Sequence, residues 1–256
     1  MEYNEKFMHP LFQEKLSELQ NLVPCPDAVL DCYKEYDAKL KMPDLIGKTV
    51  QVSERQFPEL YQRIKEMSVS FDCAMPKIYL YEDFYYGMEA KGARKPRLEI
   101  STKTLADLPD KSFDFLVARE LFRIKYDVVK WTAVSEQVIR MLRKCNKVPG
   151  LDMLNDSFLM TYSSWSRCAH YSADCFAYDA IHDIKISVRS ILALIMNNIK
   201  LAEKVNVAEY ISQMKDIYML DDIVSRFTEN DEKIPYGPLR IRTLLAYATV
   251  GHCIDQ

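Results

Sequence analysis

The chain has 256 residues, 48% of them hydrophobic and 28% charged, which is ample for a buried core. Its formal net charge of -3 provides no global basic field for nucleic acid, and 6 glycines favour a mostly helical chain over a turn-rich all-β one. No signal peptide is expected, because Met1-Glu2-Tyr3-Asn4-Glu5-Lys6 is charged and leads into no apolar run.

Leu11, Leu16, Leu19 and Leu22 fall near helical spacing, so a first helix is expected over Leu11 to Val23, stopped by Pro24 and Pro26. A second helix is expected from Asp27 to Lys41, then a short strand from Thr49 to Val52. Ser53 is read as the cap of a third helix, with Pro58 in its first turns and Leu60, Ile64 and Met67 on its inner face.

Beyond Pro76 the pattern turns to period two. Lys77 to Tyr81, Phe84 to Met88 and Leu98 to Ser101 read as strands. Tyr79, Tyr81, Tyr85 and Tyr86 fit alternating sheet packing. The basic stretch Lys91-Gly92-Ala93-Arg94-Lys95-Pro96-Arg97 reads as a solvated hairpin connection, or as a contact for an acidic partner.

From Thr102 onward only helices are expected. Ser112 is taken to cap one running to Lys125, followed by Val129 to Lys144, Leu154 to Ala180, Ile184 to Ala202, Val207 to Lys215, Leu220 to Phe227 and Leu239 to Val250. The stretch Ile184 to Ile199 is the most apolar, but Lys185 and Arg189 interrupt it, so a buried helix is expected and no membrane span. Helices, a small mixed or antiparallel sheet and more helices make an α+β fold. It is read as a single domain over 1–256: amino-terminal helices (1–75), sheet and motif helix (76–127), and a helical remainder (128–256). Seven cysteines without a signal peptide point to reduced thiols in the cytoplasm, and Cys168 and Cys175 fit small core residues.

One motif carries chemistry by what it lacks. Arg119-Glu120-Leu121-Phe122-Arg123 stands in the pattern His-Glu-x-x-His. In that pattern two histidines at i and i+4 bind one zinc, and the glutamate polarises the metal-bound water. The segment from Phe113 to Ile124 resembles the motif helix of zinc metallopeptidases, the soluble relatives of HtpX and the CAAX prenyl proteases. Further segments are similar to that family in the same order: Met8-His9-Pro10-Leu11, Gln56-Phe57-Pro58-Glu59-Leu60-Tyr61, and Leu98 through Leu105 before the motif helix. Downstream, Trp165-Ser166-Arg167-Cys168-Ala169-His170-Tyr171-Ser172-Ala173-Asp174 resembles W-S-R-x-x-E-x-x-x-D. Pro235-Tyr236-Gly237-Pro238-Leu239-Arg240 resembles H-P-x-x-x-x-R, with Ile234 in place of the histidine. The resemblance implies a mainly helical zincin-like fold with a small sheet before the motif helix.

Residue by residue, the resemblance puts the metal ligands on Arg119, Arg123 and His170. It retains the general-base position as Glu120, keeps a bracing aspartate as Asp174, and places a supporting arginine at Arg240; the arginine expected after the aspartate is Cys175. Arginine stays protonated and has no lone pair for zinc, so no zinc and no other cofactor is expected. Two arginines against Glu120 and Asp174 sum to zero charge, which suggests an ion-pair network in place of the metal. An anion site of Arg119, Arg123 and His170 is the second reading. A rearranged metal site of Glu120, His170 and Asp174, with Cys168 or Cys175, is the third; His182, eight residues beyond Asp174, is set aside as too distant. The expected function is a catalytically inactive metallopeptidase homologue that binds a protein or peptide partner through the former substrate cleft. The alternative is a metal-free or altered-metal hydrolase using Glu120, His170 and Asp174. The oligomeric state is left open.

Overall fold

The computed structural model describes residues 5–144, 151–215 and 232–254. The helix expected over Leu220 to Phe227 lies outside these residues, as do Cys145 and most of the amino-terminal hexapeptide. The order is α1 (Phe12–Asn21), α2 (Pro26–Tyr36), a π-helical turn (Asp37–Lys41), α3 (Met42–Lys48), β1 (Val50–Val52), α4 (Pro58–Ser70), β2 (Lys77–Tyr81), β3 (Met88–Lys91), β4 (Arg97–Ser101), α5 (Thr102–Asp107), α6 (Asp110–Lys125) and α7 (Val128–Lys144). Then follow α8 (Leu151–Ile181), α9 (Ile184–Met196), α10 (Ile199–Ala202), α11 (Val207–Ser212) and α12 (Gly237–Ile254). The fold is α+β, mostly helical with one small sheet. No helix among the described residues is long and apolar enough to cross a membrane. The packing forms two compact units, one of Val23–Lys144 and one of Met1–Leu22 with Cys145–Gln256.

The first unit holds the sheet, in the order β1-β2-β4-β3. It is mixed: β2 runs parallel to β4, while β1 and β3 are antiparallel edges. The register puts Val52, Ile78, Leu80, Ala90, Leu98 and Ile100 on one face. That face forms one core with Leu60 and Ile64 of α4 and with Phe113, Val117 and Leu121 of α6. The helical contributions recur every four residues, which makes a single apolar stripe. Each fully buried Ile or Leu contributes about 1.5–3 kcal/mol. The opposite face carries Tyr79, Arg97, Glu99 and Ser101, and the centre of that face is charged rather than apolar.

The third strand differs from expectation. It runs from Met88 to Lys91, and Phe84 to Gly87 form an anchored turn instead. The Ser101 and Thr104 hydroxyls at the start of α5 cause this. Gly87 N–H donates to Thr104 Oγ1 at 2.8 Å and Ser101 Oγ at 3.1 Å, while Ser101 Oγ donates to the Tyr85 carbonyl at 2.9 Å. Side-chain bonds replace the ladder bonds a strand would have used. A Cβ at Gly87 would meet the Tyr81 hydroxyl, so a larger residue there would have to displace that side chain. Tyr79 is buried in the sheet as expected, but Tyr85 is exposed on this turn.

Two expected caps move. Phe57, in the left-handed region with φ 61, precedes Pro58 at the start of α4, so Ser53 is not the cap. Pro109 precedes α6, and Ser112 lies inside it. The expected helix from Ile184 to Ala202 is split, because Asn197 turns left-handed (φ 52) and the Asn198 side chain caps α10.

In the second unit α8 is the spine. Ala169, Ala173 and Ala177 make a buried stripe at four-residue spacing, and small side chains there permit close helix approach. Phe12 of α1 packs on Trp165, with ring centroids 6.3 Å apart, and Phe7 meets Phe176 edge-on at 5.1 Å. Ile241, Leu244 and Ala248 of α12 supply further buried surface.

Candidate functional site

The six positions singled out in the sequence are divided between the units. Arg119, Glu120 and Arg123 lie on α6; His170 and Asp174 lie on α8, and Arg240 on α12.

On α6 the apolar stripe of Phe113, Val117 and Leu121 faces the sheet. This fixes the helix rotation and directs Glu120 toward the edge strand β3. Ala90 N–H donates to Glu120 Oε2 at 2.7 Å, and Arg123 Nη1 donates to the same oxygen at 2.7 Å. The pair is i, i+3 on one helix. Residue exposure is 6% for Arg119, 2% for Glu120 and 7% for Arg123. A carboxylate this deeply buried persists when it is paired and hydrogen-bonded, and its Oε2 has both an arginine and a backbone amide.

The Ala90 contact also orients β3. Ser101 N–H donates to the Gly87 carbonyl at 2.8 Å, so Gly87, Glu89 and Lys91 turn their backbone groups toward β4. Met88, Ala90 and Gly92 therefore turn theirs to the outer edge. Glu120 takes the central outward amide of that edge with a charged side chain, one way in which proteins blunt an exposed strand.

In the other unit Asp174 and Arg240 form a two-point pair. Arg240 Nε donates to Oδ2 at 2.8 Å and Nη2 donates to Oδ1 at 2.9 Å, with both residues buried. Burial lowers the basicity of Arg240, and the adjacent Asp174 carboxylate more than restores it, so its pKa lies above the ordinary value. Asp174 has a bidentate partner in Arg240, the matching geometry of guanidinium and carboxylate, a partner the charge arithmetic of the sequence did not include. His170 is half-buried one turn before Asp174 on α8.

The sequence reading missed a third charged cluster. Arg97, at the end of the supposed solvated loop, is buried on the central strand β4. It donates from Nη1 and Nη2 to Asp37 at 2.8 and 3.0 Å, and from Nε to Glu99 at 2.8 Å. Lys91 donates to the other Glu99 oxygen at 2.8 Å. The signal was present as charged residues at i and i+2 of a central strand, which must share a face. The π-helical turn begins at Asp37, the residue this cluster holds. Arg94 and Lys95 of the basic loop are exposed, and buried Gly92 with φ 88 is required because a Cβ would sit 2.8 Å from the Lys95 carbonyl.

Zinc is the group the sequence resemblance implies, and the α6 positions do not fit it. Arg119 and Arg123 offer no donor atom, and the Glu120 oxygen nearest them already accepts two hydrogen bonds. Among the described residues no group of three or more His, Cys, Asp or Glu side chains converges as a metal site. Cys168 and Cys175 are buried thiols; burial pushes Cys168 up to about 11 and Cys175 higher still. The chain matches no family model, no curated protein and no solved structure.

Proposed function

We propose that this chain is a pseudopeptidase: a zincin-like, metallopeptidase-derived scaffold that binds a protein or peptide in extended form and does not cleave it. The observation that carries the reading is the state of Glu120. In a working HExxH site this glutamate must face a metal-bound water. Here its Oε2 holds Arg123 and the Ala90 amide, both at 2.7 Å, in a buried pair. The retained glutamate is thereby explained as a counter-charge and a strand latch. The hydrolase alternative, which needs Glu120 and Asp174 available for proton transfer, is disfavoured because each is bonded to an arginine.

The binding half of the proposal rests on β3. It is an edge strand, and its less covered Met88 end, beside exposed Glu89, suits pairing with an extended segment, whereas Ala90 and Gly92 are buried. Action as a regulator, chaperone or assembly partner in the cytoplasm is part of the same proposal; the unpaired state of the described cysteines suits a reducing compartment.

The test has two arms. Purified protein is incubated with a diverse peptide mixture, with and without chelator, beside Glu120→Gln. No cleavage is expected; chelator-sensitive cleavage that disappears in Glu120→Gln overturns the reading. In the second arm a photo-crosslinking residue replaces exposed Glu89 on β3, and another replaces Val69, which is 74% exposed on α4. Peptide capture at 89 and none at 69 is expected. Equal capture at both positions removes the role of β3.

A further inference from the structure

The second unit contains a cleft of about 260 Å³ formed by α9, α10 and α12 with the 203–206 connection and Val207 of α11. Its walls are saturated aliphatic side chains: Val188, Leu192, Ala202, Val205 and Leu245 are among them, and Val188, Leu192 and Ala202 are almost fully buried. Among the described residues the lining includes no aromatic ring, hydroxyl or amide side chain. Its polar side chains are Lys185, Arg189 and Glu203.

These three charges sit at the mouth. Lys185 and Arg189 are exposed, one turn apart on α9, and therefore on the same side of that helix. Neither makes a salt bridge to a carboxylate among the described residues, and Glu203 pairs with neither. Asp183, next to the cleft, is occupied as the cap of α9, accepting from Ile186 N–H at 3.1 Å. The mouth thus carries one excess positive charge above an apolar floor.

We propose that this cleft binds a medium-chain aliphatic carboxylate, with its carboxylate on Arg189 and Lys185 and its hydrocarbon chain against Val188, Leu192 and Leu245. A sugar or nucleobase requires hydrogen-bonding partners along its body, and the cleft floor has none to offer. An aliphatic chain requires only apolar contact. Guanidinium and ammonium at adjacent turns supply a fork and a point charge for one carboxylate. The volume lies below the range of about 300–1,000 Å³ that holds drug-sized ligands, which excludes a long-chain occupant. The site lies wholly in the second unit and is independent of the peptide-binding reading of β3.

The experiment is calorimetric titration of the full chain with butanoate, hexanoate and octanoate, and with octylammonium. Saturable one-to-one binding is expected, tightening by about fourfold per methylene until the cleft is filled. Octylammonium is expected not to bind. Lys185→Glu/Arg189→Glu changes exposed side chains only, so it leaves the fold intact, and it is expected to weaken octanoate at least tenfold. Methyl resonances of Val188, Leu192 and Leu245 report whether the ligand occupies the cleft. Three results overturn the proposal: no saturable octanoate binding, octylammonium binding as well as octanoate, or octanoate affinity unchanged in the charge-reversed protein.

Discussion

Glu120→Gln separates a catalytic from a structural glutamate. The substitution keeps the size of the side chain and, through its amide oxygen, the bond from Ala90 N–H. What it removes is the negative charge facing Arg123 Nη1 at 2.7 Å in a site where both residues are buried. A hydrogen bond to a charged group contributes about 1.5–3 kcal/mol, and stripping one partner from a buried ion pair costs up to about 3–5 kcal/mol. We expect a loss of about 2–3 kcal/mol in urea unfolding, toward the lower end because the Ala90 bond survives. Glu120→Ala loses that bond as well, leaves a buried amide unpaired, and is expected to cost about 1–3 kcal/mol more. A double-mutant cycle with Arg123→Met isolates the pair: the coupling energy is expected at about 1 kcal/mol or more. If Glu120→Gln unfolds within about 0.5 kcal/mol of the parent, the range of neutral surface substitutions, Glu120 is not held as a counter-charge.

Asp174→Asn is expected to destabilise by about 3–5 kcal/mol, because it leaves the buried Arg240 facing a neutral amide; thermal unfolding reads it, and a change under about 1 kcal/mol contradicts it. Arg97→Met is expected to fall in the same range, since Asp37 and Glu99 lose a shared partner on the central strand; conversely, an unchanged unfolding midpoint would show the cluster to be solvated. Burial lowers the pKa of His9 from 6.5, and its Nδ1 accepts from Leu11 N–H at 3.2 Å. The stability that neutral His9 contributes is thus complete above pH 6.5 and is lost as pH falls through its lowered folded value; in His9→Gln this acid-side slope of the unfolding free energy should shrink. Cys168, pushed up to about 11 by burial, and Cys175 should resist a thiol reagent at neutral pH in the native protein, while exposed Cys25 and Cys32 react; peptide mapping of the label checks both halves.

The α+β class and most helices were legible in the sequence because they rest on local pattern. Leu60 and Ile64, or Phe113, Val117 and Leu121, recur at helical spacing whatever they pack against. That Arg119 and Arg123 cannot ligate a metal follows from the side chain alone, since a guanidinium has no lone pair in any fold. Decisions between distant residues were not legible. The hydroxyls of Ser101 and Thr104 converted Phe84 to Gly87 from an apparent strand into a turn, and nothing within that segment announces their arrival. Arg97 read as part of a solvated loop until the sheet register placed it, buried, between Asp37 and Glu99. Charge arithmetic could count Arg119, Arg123, Glu120 and Asp174, but it could not assign partners. Tertiary structure assigned Glu120 to Arg123 and a strand amide, and Asp174 to Arg240 66 residues away. Sequence specifies which charges exist, whereas only the packed backbone sets which of them come within hydrogen-bond distance, and buried charge is stable only at that distance.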